Sequence, residues 1–382
     1  MKIFIASDSF KGSVSSKDVA ESLTLGLLAK NPQLKVTYSE IADGGEGSLS
    51  AILAARPDFA IQTITSCDLL GRDYESKVLI GQDLGKKTAI VESADLLGLN
   101  LVSADSTSVE AASSYGLGLL IQALKEDEVE KIIVFLGGTG SSDGGGGFLQ
   151  ALGVHFLEED GQIVHSRKNL LSQNIIDIKN LEKVLEDFSG LEIIIGSDVT
   201  NPYTGPNGAQ AVFGKQKGAT PEQITIFNKQ MTVMNELFKA QVNIDLNTYE
   251  GSGAAGGLGG AFALLGGKAR SGFDIIADLT GLSVKMADAD LIITGEGSLD
   301  AQSAQGKVPM KVATLAKDQG IPALAVSGRR DEELGDLENH LIAAYAIQRE
   351  VTTLEVAISP DYAKSNLELI GKNIAGMLSL LK

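Results

Sequence analysis

The chain has 382 residues, 43% hydrophobic and 21% charged, a balance that permits a large buried core and excludes disorder. Its 32 basic against 49 acidic residues leave a net charge of −17, with no basic stripe to suit a nucleic acid or an anionic membrane. Cys67 is the single cysteine, so an intrachain disulfide and cysteine-based metal or iron–sulfur sites are excluded.

The chain opens MKIFIASDSF, in which the strand KIFIA (2 to 6) runs straight into a turn rather than forming a leader. With no apolar run of membrane-spanning length, a cytoplasmic protein is expected. A helix follows from Ser15, which forms a capping-box pattern with Asp18 and precedes Val19, Leu23 and Leu27 at helical spacing. VTYSEIA (36 to 42) reads as a second strand. Residues 61 to 93 read as short strands joined by LGRD and QDLGKK turns, too close together for crossovers and therefore antiparallel. Then come a helix capped by Thr107 and Glu110, the strands KIIVFL and LEIIIGSD, and a helix announced by TPEQ (220 to 223). GSGAAGG (251 to 257) reads as a loop, and the small residues after it as a closely packed helix. DLIIT (290 to 294), PALAVS (322 to 327) and LIAAYAI (341 to 347) complete a parallel sheet. A last helix presents Leu367, Ile370, Ile374, Met377, Leu378 and Leu381 on one face. The expected organisation is α/β: a discontinuous domain of residues 1–60 and 287–382, with a mixed α/β domain inserted at 61–286.

In a parallel α/β sheet, ligands gather beyond the carboxyl ends of the strands. The loops there are DSFKGS (8 to 13), DGGEG (43 to 47), GGTGSSDGGGG (137 to 147), SDVTNP (197 to 202) and GEGSLD (295 to 300). A carboxylate beside a glycine is ordinarily a turn or a helix cap. Its recurrence at several strand ends is not. Lys11 and Lys217 each precede a helix start, where orphan N–H groups favour anions. His155, His165 and His340 fall outside all these loops, leaving a Ser-His-Asp triad or a histidine metal site without support. Neither a P-loop nor a dinucleotide fingerprint is present. Carboxylates, glycine-rich loops and a few lysines, without a nucleophile–base pair, suit phosphoryl transfer assisted by Mg²⁺.

Taken in order, DSFKGS, DGGEG, ESADLLGL (92 to 99), GGTGSSDGG, DVTNP with FGKQKGA (213 to 219), GAAGG and GEGSLDAQSAQGK (295 to 307) resemble the motif series of the bacterial glycerate kinases of the first type. The resemblance covers nearly the whole chain. It implies ATP-dependent phosphorylation of D-glycerate to 2-phosphoglycerate in an interdomain cleft, with ADP released, Mg²⁺ as cofactor and the 3-hydroxyl as the alternative acceptor. It also implies a flavodoxin-like parallel-sheet domain and a second α/β domain likened to restriction endonucleases. Two loops depart from the family: GGTGSSDGG stands where GGSATNDGG is more frequent, and SDVTNPY where CDVxNPL is usual. Both keep their aspartate, so the departures bear on substrate preference rather than on reaction class.

Carried over by position, the resemblance marks Asp8, Lys11, Asp43, Glu46, Asp143, Asp198, Asn201, Gln216, Lys217, Glu296 and Asp300 as cleft residues. By physical argument Asp198 is the leading base, and Lys11 and Lys217 clamp phosphate or carboxylate. Gly137, Gly138, Gly140, Gly144, Gly145, Gly256 and Gly257 are expected to cradle the nucleotide. Asp143 has two readings, a plain helix cap or a charged participant holding metal or a substrate hydroxyl, and Asp143→Asn is expected to spare stability while removing turnover. No metal ligands are assigned, and oligomerisation is open. The competing readings are a non-catalytic sensor of small acids or nucleotides, disfavoured by the full acidic set, and a dehydrogenase with Asp43 on a ribose, disfavoured by the first turn.

Overall fold

Beyond its first residue the strand Lys2–Ser7 is buried throughout, as a strand covered on both faces of a parallel sheet must be. The computed structural model describes residues 1–165 and 167–380. It pairs this strand in parallel with Lys35–Tyr38 on one side and Leu291–Leu299 on the other. Ala323–Arg330 and Ala343–Ala346 extend the sheet, also in parallel. Numbered within this sheet, the strand order is 2-1-3-4-5, the flavodoxin-like order. Its connections change direction between Lys2–Ser7 and Leu291–Leu299, where a ligand crevice is expected.

These strands belong to one compact unit, Met1–Asp43, Ser50–Pro57 and Phe273–Lys382. Its helix Ser16–Lys30 begins with the anticipated Ser15–Asp18 capping box. Val19, Leu23 and Leu27 of that helix share a core with Leu367 and Ile374 of the helix Pro360–Leu378. Each fully buried leucine contributes about 2 kcal/mol. Leu381, placed on the same face by its spacing, lies outside the described residues. The strand expected over 36–42 is shorter than its apolar pattern. After Ser39 donates to the Ile5 carbonyl, the Ile41 N–H turns to the Ser16 hydroxyl, and the chain leaves the sheet.

The other unit comprises Gly44–Leu49 and Asp58–Gly272. Ala60–Cys67, Asp73–Asp83 and Lys86–Glu92 form the expected antiparallel meander. Lys131–Phe135, Glu192–Gly196 and the short Lys268–Arg270, which the pattern did not reveal, then add in parallel. Thr220 and Gln223 cap the helix Pro221–Val242 as anticipated. The cap of Ser106–Ala111 is Asp105 rather than Thr107: its carboxylate accepts from the Thr107 and Ser108 N–H groups. Glu110 instead accepts from the Gln223 amide. The helix Ala254–Leu264 is interrupted by left-handed Ala255, Gly256 and Gly257, followed by buried residues from Leu258 onward. Among the described residues no helix is long and apolar enough to cross a membrane.

Candidate active site

In the first unit, the turn after Lys2–Ser7 delivers Asp8 and Lys11, while the far end of Leu291–Leu299 delivers Glu296. With Asp43 and Lys307 they line a cavity of about 420 Å³. The Lys11 ammonium lies 2.8 Å from an Asp43 carboxylate oxygen, and Lys307 lies 3.7 Å from Glu296. The remaining Glu296 oxygen accepts from the Ser303 hydroxyl. Asp300, marked as a cleft residue from sequence, organises that turn: its carboxylate accepts from the N–H groups of Gln302 at 2.8 Å and Ser303 at 3.2 Å.

Burial separates the roles of these charges. Asp8 is only 5% exposed. Its pKa is pushed up to about 7, first by burial and then by the neighbouring Asp43 charge, against the opposing pull of Lys11 and the Ser9 N–H. Glu296 is raised as well, again chiefly by burial. For Lys11 burial disfavours the ammonium, yet Asp43, Asp8 and Glu296 together outweigh it and raise the pKa. The result is one carboxyl group near neutrality beside two cations held at fixed points. Such a group can accept a proton from a hydroxyl at neutral pH.

The second unit carries the other predicted residues. Asp143 is 1% exposed, and its carboxylate is saturated by its own surroundings. It accepts from the Ser114 N–H at 2.7 Å, the Gly145 N–H at 3.1 Å and the Gly147 N–H at 3.2 Å. The hydroxyls of Ser113 and Ser114 donate to it too. Both carboxylate oxygens are thus engaged within the protein, a geometry that supports an architectural role for Asp143 beside the metal-binding or substrate-orienting one. It is not a simple cap, because it fastens two segments about 30 residues apart in sequence.

The second half of the expected phosphate nest is engaged in the same way. From Gly144 to Phe148, every N–H donates within the protein: to the Gly256 carbonyl, to Asp143 and to the Ser114 hydroxyl. A Cβ on Gly256 would sit 2.6 Å from the Ser141 carbonyl oxygen, one on Gly257 2.6 Å from the Gly144 Cα, and one on Gly145 2.6 Å from the Ala261 Cβ. Gly144 faces the Tyr203 hydroxyl, Gly140 packs on Leu69 and Leu99, and Gly137 on Gly45. What approaches this backbone is the rest of the unit. Gly138 alone of these glycines is exposed.

Lys217 is buried, and its ammonium donates to the Ser141 carbonyl at 2.6 Å. Burial lowers its pKa to about 8 against the supporting charge of Asp143. It too holds the glycine segment rather than facing water. Asp198, Glu46 and Gln216 are exposed, and Asn201 donates to the Asn207 carbonyl. The sequence reading missed Ser113 and Ser114, whose adjacency just before a helix was the only signal. It quoted Lys307 in a motif without assigning it to the site, and missed Phe10, Gln348, Leu354 and Ile358, which line the first unit's cavity.

Comparison with known proteins agrees with the motif series. The chain is 35% identical to a glycerate 2-kinase of Escherichia coli strain K12, covering 100% of this chain and 98% of that one. A glycerate kinase of Bacillus cereus is also 35% identical, over 99% of this chain and 98% of the relative. The fold matches the crystal structure of a protein described as glycerate kinase 2 from Salmonella typhimurium LT2, with a TM-score of 0.82 at 34% identity, over 100% of this chain and 98% of that one. A model of the Glycerate kinase family matches residues 3–379, so the chain belongs to that family and is a kinase.

Proposed function

We propose that this kinase transfers the γ-phosphoryl group of ATP to the 2-hydroxyl of D-glycerate, releasing ADP and 2-phosphoglycerate. The observation that carries the reading is the cluster of Asp8, Lys11, Asp43, Glu296 and Lys307 around one cavity at the carboxyl ends of parallel strands. Phosphoryl transfer depends on positioning and charge stabilisation more than on covalent chemistry, and these residues supply both. Lys11 and Lys307 hold the anionic groups of the substrates. Asp8, buried and near neutrality, takes the proton from the attacking hydroxyl. Asp198, exposed on the second unit, is the second candidate for that step.

Among the described residues no group of three or more side chains is arranged as a metal cage. Mg²⁺ does not require one, because it binds through one or two carboxylates, water and substrate phosphates. The donor chemistry fits: Asp43 and Glu296 each offset a lysine and Asp8 titrates near neutrality, so the cavity has no excess positive charge and a polyphosphate enters favourably only with a cation. Asp43 and Glu296 are the residues that would hold the ion, which when bound supplies neutralisation of phosphate charge. The 2-hydroxyl is favoured over the 3-hydroxyl by the naming of the Escherichia coli relative. A coupled assay with ATP, Mg²⁺ and D-glycerate tests the reaction, with ADP release expected only when all are present. Phosphorus NMR of the product is expected to show 2-phosphoglycerate. No ADP above background would refute the activity, and 3-phosphoglycerate would refute the regiochemistry.

A further inference from the structure

The cavity of the first unit is much larger than a three-carbon acid requires. At about 420 Å³ it has the size of sites that enclose far bulkier ligands. Its charged lining comes from the turn after Lys2–Ser7, from Asp43, from Glu296 on Leu291–Leu299 and from Lys307 before the helix Val308–Asp318. The rest is apolar: Phe10, Ile347 and Ala363 are buried beneath it, and Leu354, Ala357 and Ile358 border it from a segment just before the last helix. That segment is anomalous for a water-soluble surface. Leu354 is 74% exposed, and Val351, Val356 and Ile358 are exposed beside it, an apolar grouping that marks a binding surface more often than bare protein. Gln348, on the same wall, has its Oε1 buried without a hydrogen-bond partner. Such an orphan costs free energy unless a ligand satisfies it.

We infer that this apolar wall seats the nucleoside of the phosphoryl donor, with the base against Leu354, Ala357 and Ile358 and with Gln348 reading its polar edge. The inference rests on the kinase reading and deepens it. Two observations carry it independently of volume. First, the charge order suits a nucleotide: an apolar wall for the base adjoins Lys11 and Lys307 for the phosphates, at the strand-order reversal where mononucleotides bind in open α/β sheets. Second, the glycine segments of the other unit, the alternative cradle, have their N–H groups from Gly144 to Phe148 engaged by protein.

The test uses the full chain and a fluorescent N-methylanthraniloyl-ADP, excited directly so that the tryptophan introduced in one variant does not enter the signal. Leu354→Asp places a charge at an exposed position that does not threaten folding, and Ala357→Trp fills the wall by bulk. Melting temperatures check that both fold. Each is expected to weaken the fluorescent nucleotide by at least about tenfold, the worth of one large apolar contact, and to raise KM for ATP alike. KM for D-glycerate and inhibition by inorganic tripolyphosphate, which lacks a nucleoside, are expected to stay as in the parent. A raised KM for D-glycerate with unchanged nucleotide affinity would overturn the inference and give the wall to the acceptor. Unchanged values throughout would overturn it too. Nucleotide binding that is lost in both variants, in a protein that never turns over D-glycerate, would uphold the inference while refuting the kinase reading.

Discussion

Replacing Asp143 by asparagine asks whether the aspartate of the glycine segment is there for chemistry or for architecture. An amide of the same shape can keep one oxygen acceptor, sufficient for the Ser114 N–H at 2.7 Å and the Gly147 N–H at 3.2 Å. Its NH₂ must then face the Gly145 N–H, which donates at 3.1 Å in the parent. One buried donor is orphaned, at about 1–3 kcal/mol, and the surviving bonds lose their charge assistance, at about 1 kcal/mol more. Lys217, whose buried ammonium draws support from Asp143, loses its partner charge as well. The expected destabilisation is therefore about 3 kcal/mol or more, enough to lower the melting midpoint by roughly 6–12 °C for a unit of this size. Scanning calorimetry measures the midpoint. Hydrogen exchange at Ser114, Gly145 and Phe148 locates the loss, and is expected to show faster exchange there first. An Asp143→Asn protein that melts within about 1 °C of the parent yet is inactive would refute the architectural reading and restore Asp143 as a participant in the reaction.

Asp8→Asn is expected to abolish turnover and yet stabilise the fold as pH rises. The folded pKa of about 7 lies above the value of about 4 in an unfolded chain, so the stability that Asp8 provides is whole below pH about 4 and is lost as pH climbs to about 7. The variant's advantage therefore grows across that window to roughly 4 kcal/mol at most, and a difference in melting that is flat from pH 4 to 8 would count against the buried-acid picture. Gly256→Ala should destabilise the second unit by at least about 2 kcal/mol, because φ is +70° and the new methyl group meets the Ser141 carbonyl oxygen. If the variant instead melted normally and lost only nucleotide affinity, the glycine would be serving a phosphate.

The elements legible in the sequence were those whose cause is local. Apolar runs such as KIFIA and DLIIT declare parallel strands because burial on both faces leaves no polar alternation. The Ser15–Asp18 and Thr220–Gln223 caps lie within one turn of the groups they satisfy. The loops holding Asp8, Asp43 and Glu296 stood out by the rule that ligands gather at strand ends, the residues themselves were marked by the family resemblance, and the structure sets all three around one cavity. Ser113 and Ser114 left no comparable trace, since their bond to Asp143 joins distant segments and two serines before a helix suit many surroundings. Leu354 and Ile358 were equally silent: in a short stretch, residues facing a cavity read like residues facing a core.

Glycine density admits two readings for a definite physical reason. A bare backbone is required wherever another surface comes within about 3 Å of where a Cβ would stand, and the sequence does not say whether that surface is a phosphate or a second strip of protein. Here the two richest glycine segments are each other's answer: the Gly144 N–H donates to the Gly256 carbonyl, and Gly257 closes on the Gly144 Cα. Once two such backbones meet, their polar groups must be satisfied from within, and this explains the charged pair nearby. Asp143 collects the spare N–H groups on one side, while Lys217 donates to the Ser141 carbonyl on the other. Both charges are buried, and each moderates the cost of burying the other. An anion cradle would have left those N–H groups pointing at solvent and the lysine free to swing; here both are spent on holding the loop in one shape.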